Sequence, residues 1–244
     1  MTQTEQPIDG RRSRYHHGCL REALVEAGME LARSGGSDAV VLRQATRLTG
    51  VSPNAAYRHF ANREELLDEV AVAANQRLAG AMNEAVLRAR AEFSDDEPVR
   101  RATEVIVAAC RACIRFALDE PGWYEVCCAR SDDSVRAYFG DAGPRDLGGW
   151  PLGQAGPGGV SDSAAWPAHP ATVPEVLRSV IALPEGLTWS PETKPEGIEL
   201  ALRSTLYGFC LLATTGTMRL GDHDQQAGRM ISVIRAMVSG AIRR

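Results

Sequence analysis

Tyr57, Arg58 and His59 stand side by side in the stretch "GVSPNAAYRHFANREELL", residues 50–67, with Asn54 just before them and Arg63 just after. Asn and Arg side chains can read base edges through paired hydrogen bonds, whereas a Tyr hydroxyl, a His ring N–H and a further Arg suit phosphate oxygens. From Ala39 to Arg63 the chain carries Arg43, Arg47, Arg58 and Arg63 and no acidic residue. The whole chain has a net charge of −4, so an anionic partner has to be met by a local patch of this kind. Other chemistry has less support. His16, His17, His59, His169 and His223 are scattered and fit no nucleophile–base order. No glycine-rich phosphate loop follows a strand, so neither a catalytic residue nor a cofactor is expected. Cys110 and Cys113 are spaced to share one side of a helix, and Cys127 and Cys128 are adjacent. Thiolate pairs bind soft metals or oxidise, which leaves a thiol- or metal-sensing role as the alternative and a helical enzyme as a more remote one. The preferred reading of the six cysteines is that they are reduced and packed as small hydrophobes, with no metal site.

The elements that must hold the cationic cluster follow from apolar spacing. Leu20, Ala23, Leu24, Ala27, Gly28 and Leu31 recur at three and four residues, which predicts an amphipathic helix over 18–34, ended by "SGGSD". A second helix fits 42–49, and Gly50 supplies a turn residue that tolerates a left-handed backbone. Ser52 is a good N-cap and Pro53 suits the first helical position, so a third helix should run to Phe60. Val51, Ala56 and Phe60 then face inward, leaving Pro53, Asn54, Ala55, Tyr57, Arg58 and His59 outside. Three short helices with this turn make a helix-turn-helix, whose second member enters the DNA major groove. Asn62 and Glu65 resemble a capping box and open a long helix to about residue 91.

The segment "VVLRQATRLTGVSPNAAYRHFANREELLDEVA" resembles the N-terminal domain of the TetR family of transcriptional regulators, and "RYHHGCLREALVEAGMELARSGG" is similar to that family's first helix. The resemblance implies that Arg43, Pro53, Asn54, Ala55 and Arg58 meet bases, while Tyr57, His59 and Arg63 meet phosphates. With Ser52 at the helix start they form the expected double-stranded DNA interface. Thr46 departs from the alanine usual at its position, and Ala45 from a larger aliphatic. "LRSTLYGFCLLATTGTMRLGD" resembles the eighth helix of the subgroup with a tryptophan-histidine-glycine signature, of which Leu206-Tyr207-Gly208 keeps only the glycine.

The apolar spacing reads as an all-α chain, preceded by a disordered basic arm at 1–14 whose Arg11, Arg12 and Arg14 either add phosphate or minor-groove contacts or form a solvated tail. The helix-turn-helix domain would occupy 15–62, and a larger ligand-binding and dimerisation domain 63–244. Within the larger domain, helices are predicted at 98–119, 123–130, 173–183, 196–218 and 222–242. Residues 138–172, rich in Gly and Pro and without period, read as a long loop carrying Trp150 and Trp166. Phe116, Trp123, Tyr124, Cys127, Tyr207 and Leu211 are the expected contacts of a small, mostly hydrophobic effector that is not identified. Met230, Ile234, Met237 and Ala241 lie on an apolar stripe wider than a monomer requires, and are expected in a homodimer seam. No apolar run approaches the roughly 20 residues of a membrane span, so a cytoplasmic repressor without membrane contact is expected.

Overall fold

The computed structural model of the chain describes residues 19–93, 97–129, 172–215 and 223–244. The arm expected at 1–14 lies outside these residues, as does the 138–172 loop up to Thr172, together with Trp150 and Trp166. Helix α1 (Cys19–Ala39) is broken at Gly35 and Gly36, where the backbone leaves helical geometry, so its regular part ends where the glycines predict. Helix α2 (Leu42–Thr49) is closed by Gly50, whose φ of 70° is left-handed and whose N–H donates to the Thr46 carbonyl. Helix α3 (Pro53–Tyr57) starts as expected, with the Ser52 hydroxyl accepting from the Ala55 N–H at 3.3 Å.

This third helix ends three residues before the expected Phe60. The backbone nevertheless turns on to Phe60, whose N–H donates to the Ala56 carbonyl at 3.0 Å. The guanidinium of Arg21 on α1 donates to the His59 carbonyl at 2.7 Å and lies 4.5 Å from the centre of the fully buried Phe60 ring, which fixes this turn on α1. Helix α4 (Arg63–Glu92) then begins on an Asn62 cap that accepts from the Glu65 N–H at 2.8 Å. The Glu65 carboxylate reaches back to the Ala61 N–H at 2.7 Å, one residue beyond the position a capping box requires. At 1.5 Å per residue α4 is about 45 Å long and runs from the small domain into the large one.

The larger domain contains α5 (Pro98–Asp119), α6 (Pro121–Ala129), α7 (Val173–Ile181), α8 (Lys194–Thr214) and α9 (His223–Ala241). Proline starts α6 directly, two residues earlier than predicted, because it needs no N–H partner at a first turn. Thr172 and Glu175 form a reciprocal capping box at the head of α7. One feature departs from an all-helical expectation: Thr188–Trp189 (β1) pairs antiparallel with Ile242–Arg243 (β2). Two residues per strand are too few to leave a period in the sequence.

Two apolar cores result. The first lies under α1 to α4 and includes Leu24, Phe60, Leu66 and Val70; the second surrounds α5 and includes Ile106, Cys113, Leu202 and Leu206. Buried Arg203 pairs with Glu199 on its own helix, and Glu199 also meets Arg178 of α7 at 3.6 Å. The stripe on α9 requires a correction. Ile234 is fully buried and Ala241 nearly so, against the protomer's own second core, and Met230 and Met237 pack partly buried on that core. Ile234 and Ala241 are therefore used within the chain, while Met230 and Met237 keep part of their surface open.

Candidate nucleic-acid interface

Helices α2 and α3 form one cationic face. Arg43, Arg47, Asn54, Tyr57 and Arg58 are exposed on it, Tyr57 by 58%, while Ala45, Thr46 and Ala56 are buried beneath. The two departures at 45 and 46 are absorbed locally, since the Thr46 hydroxyl donates to the Arg43 carbonyl at 2.8 Å and so satisfies itself within α2. Among the described residues the guanidinium groups of Arg43, Arg47 and Arg58 make no hydrogen bond or ion pair. An arginine that is solvated and uncommitted retains its full fork of donors for bases or phosphates. Ser52 and Pro53 are exposed at the head of α3, and Ala55 and His59 are half-buried beside them. Gln44 and Arg47, also exposed on α2, were not in the expected set. Their signal was available: they follow Arg43 at one and four residues, on the side of α2 away from Leu42, Ala45 and Thr46.

Arg63 also has partners within the protein. Its Nε donates to the Val40 carbonyl at 2.9 Å and one Nη to the Ser37 carbonyl at 2.5 Å. Its other charged neighbours are Asp38 and Glu64, at 3.9 and 3.7 Å. The side chain ties the start of α4 to the end of α1 with two of its five N–H donors.

The two domains share α6. Tyr124 points into the second core, whereas Val126 and Cys127 are buried in the first and Trp123 packs against it. The Trp123 Nε1 donates to the Met29 carbonyl at 2.8 Å, and the Arg33 and Arg77 guanidiniums lie 5.4 and 4.7 Å from its ring. Two carboxylates complete the seam. Glu120 takes both donors of Arg33 at 2.7 Å, and Glu125 accepts from the Ser37 hydroxyl at 2.8 Å. Gly122 is required here, because a Cβ at that position would sit 2.1 Å from the Ala32 carbonyl oxygen. Trp123 and Cys127 thus lie at the joint between domains, on the side of the first core. Phe116, 6.1 Å from Trp123 ring to ring, and Tyr207 pack on the second core; Leu211 is half-buried on α8.

Among the described residues, Cys110, Cys113 and Cys210 lie in the second core, Cys127 in the first, and Cys128 packs against both. Burial pushes the Cys110 and Cys128 thiols up to about 12. Hydrogen bonding to Cys210 and then burial raise Cys113, and burial raises Cys127. Held protonated, these thiols pack as small hydrophobes and are poor nucleophiles. Among the described residues no group of three or more His, Cys, Asp or Glu is arranged to hold a metal ion, and no helix is long and apolar enough to cross a membrane.

Comparison with known proteins agrees with this arrangement. A family model described as bacterial regulatory proteins of the tetR family matches residues 24–70, and one described as a tetracyclin repressor-like C-terminal domain matches residues 106–237. A search of curated proteins gives no match. Among solved structures, a protein of unknown function from Rhodococcus sp. RHA1 is similar with a TM-score of 0.56 and 21% identity, over 93% of this chain and 99% of that one. A protein from Shewanella sp. PV-4, described as a candidate tetR family transcription regulator, is similar with a TM-score of 0.50 and 14% identity, over 92% of this chain and 98% of that one. At such identities these two likenesses speak for the fold alone.

Proposed function

The chain belongs to the TetR family of transcriptional regulators, and we propose that it is a homodimeric repressor whose inverted-repeat operator is released when a small, mostly hydrophobic effector enters the larger domain. The observation that carries the DNA reading is the acid-free α2–α3 face, with uncommitted arginines at 43, 47 and 58. In this reading Arg43, Asn54 and Arg58 read base edges, with Pro53 and Ala55 against the bases as small apolar contacts. Ser52, Tyr57, His59, Gln44 and Arg47 fix the phosphates, and Arg63 holds the domain in shape.

Two recognition helices are needed to engage two half-sites, which a two-fold dimer supplies. Since Ile234 and Ala241 are internal, the seam in this reading falls on the outward sides of α8 and α9, where Leu200, Leu212 and Val233 are 57%, 43% and 61% exposed. The effector would sit between α5, α6 and α8, against Phe116, Tyr124, Tyr207 and Leu211. Pressure on Tyr124 moves α6, and the opposite side of α6 is built into the core of the DNA-binding domain. Binding energy that favours a displaced α6 therefore changes the separation of the recognition helices and lowers operator affinity.

Selection of DNA fragments from a random pool by the purified full-length protein tests the reading. Enrichment of one inverted repeat is the expected result. Fragments that share no repeated half-site would sink it.

A further inference from the structure

Outside the region assigned to the effector, α5 and α9 do not close against each other along their whole length. A groove of about 420 Å³ remains between them, walled by Ile114 and Leu118 on one side and Ala227 and Ile231 on the other. That volume is within the range of small-molecule sites, about 300–1,000 Å³. Three guanidiniums, those of Arg111, Arg115 and Arg235, stand on its rim. They are not equivalent. Arg235 is held by Glu104 through two bonds of 2.7 and 2.9 Å, and Arg115 lies between Asp119 and Asp224, each at 2.8 Å. Arg111 is exposed and makes no hydrogen bond or ion pair among the described residues.

We propose that this groove binds an amphipathic carboxylate, with the hydrocarbon body on the Ile114–Ile231 floor and the carboxylate on Arg111. Charge sets the sign of the headgroup. The carboxylates near the groove already have arginine partners, so a cationic head would find no uncommitted anion, whereas an anionic head finds the fork of Arg111. The apolar walls set the nature of the tail, because a wholly polar ligand would desolvate them for no return. Gly228 keeps one wall low. A Cβ there would meet nothing within 4 Å, although glycine inside a helix costs about 1 kcal/mol relative to alanine. On α9 the groove uses Gly228, Ile231, Ser232 and Arg235, successive positions on one flank, while exposed Val233 lies on the other. The site therefore stays open in a dimer that pairs through Val233. The proposal is independent of the DNA-binding reading.

Calorimetric titration of the full-length protein with sodium octanoate tests it. Wild type is expected to bind one octanoate per chain at this site, and 1-octanol far more weakly. Arg111→Gln should weaken that event by about tenfold or more, and Arg111→Lys, which keeps the charge but loses the fork, should weaken it less. Gly228→Leu, which fills the groove from a position with open space, should remove it with no loss of thermal stability or operator binding. An isotherm that neither Arg111→Gln nor Gly228→Leu alters places octanoate elsewhere and overturns the proposal. So does the absence of binding at millimolar octanoate.

Discussion

The recognition face and the seam at α6 use the same residue in opposite ways. On α2 and α3, Arg43, Arg47 and Arg58 have solvent for a partner, while around α6 and the start of α4 the arginines are all committed. Arg21 holds the end of α3, Arg33 takes both oxygens of Glu120, Arg63 takes two carbonyls and Arg77 lies over Trp123. An arginine free to meet DNA adds little to folding, whereas one bonded to backbone carbonyls spends part of its fork on the protein and adds to stability. Removing members of the two groups should therefore produce opposite losses.

The largest effect is expected at the tightest point of the seam. Gly122→Ala would set a methyl group 2.1 Å from the Ala32 carbonyl oxygen and 2.8 Å from that of Arg33, both backbone atoms that cannot swing aside. Helix α6 would have to back away from α1, taking with it the Trp123–Met29 and Arg33–Glu120 bonds. Overpacking of this kind costs about 3 kcal/mol or more. At about 2–4 °C per kcal/mol for a chain of this size, Tm should fall by roughly 10 °C. A thermal melt that matches wild type would show that the seam is loose and would remove the contrast with the recognition face.

Next in size is a pair of substitutions read by two measurements. Arg58→Ala should cost about 1–3 kcal/mol of operator binding and relax sequence preference, with Tm unchanged. Arg63→Ala should do the reverse, lowering stability by about 1–3 kcal/mol through the carbonyls of Ser37 and Val40 that lose a charged donor. Melting curves and DNA titrations of both proteins decide the sorting. Loss of operator affinity without loss of Tm in Arg63→Ala would return that residue to the phosphate contacts.

The boundaries of α2 and α5, the Gly50 turn and the Ser52 cap were legible in the sequence because each rests on a residue whose local chemistry permits little else. The exposure of Arg43, Asn54, Tyr57 and Arg58 was legible from helical period. The commitment of Arg63 was not, since its partners are carbonyls 23 and 26 residues away and a carbonyl leaves no mark on composition. The position of α6 was hidden for a related reason. Trp123 and Tyr124 are neighbours in sequence and both aromatic, yet one turns toward each core, and only the packing of α1 decides which. The apolar stripe on α9 is legible in the sequence too, but width alone does not distinguish a second protomer from a second helix of the same chain.

A smaller effect should separate the polar from the aromatic part of the seam. Trp123→Phe keeps the ring under Arg33 and Arg77 but removes the Nε1 donor to the Met29 carbonyl. The expected loss is about 1 kcal/mol, since the ordinary net value of one such bond is that size. In the proposed mechanism the effector concentration that releases operator should also change, because α6 is then less firmly joined to α1. A changed Tm with unchanged release would confine Trp123 to stability.

The smallest effect concerns Arg235 and Glu104, a two-bond pair like Arg33 and Glu120 but wholly inside the larger domain. Hydrogen bonding to Arg235 holds the Glu104 carboxyl below its ordinary range. Its folded value being lower than its unfolded one, the pair contributes fully above the unfolded value of about 4.3, and the contribution fades as the pH falls through the folded value. Arg235 is 39% exposed, so screening by water limits the gain to about 0.5 kcal/mol, or roughly 1–2 °C in Tm. Glu104→Gln should therefore melt slightly below wild type at neutral pH and converge with it once the pH has fallen through the folded value. Operator binding should not respond, since the pair does not touch α6 or α1. If Glu104→Gln weakens DNA binding as much as a change at Glu120, the distinction between arginines that join the domains and arginines that merely brace one of them fails.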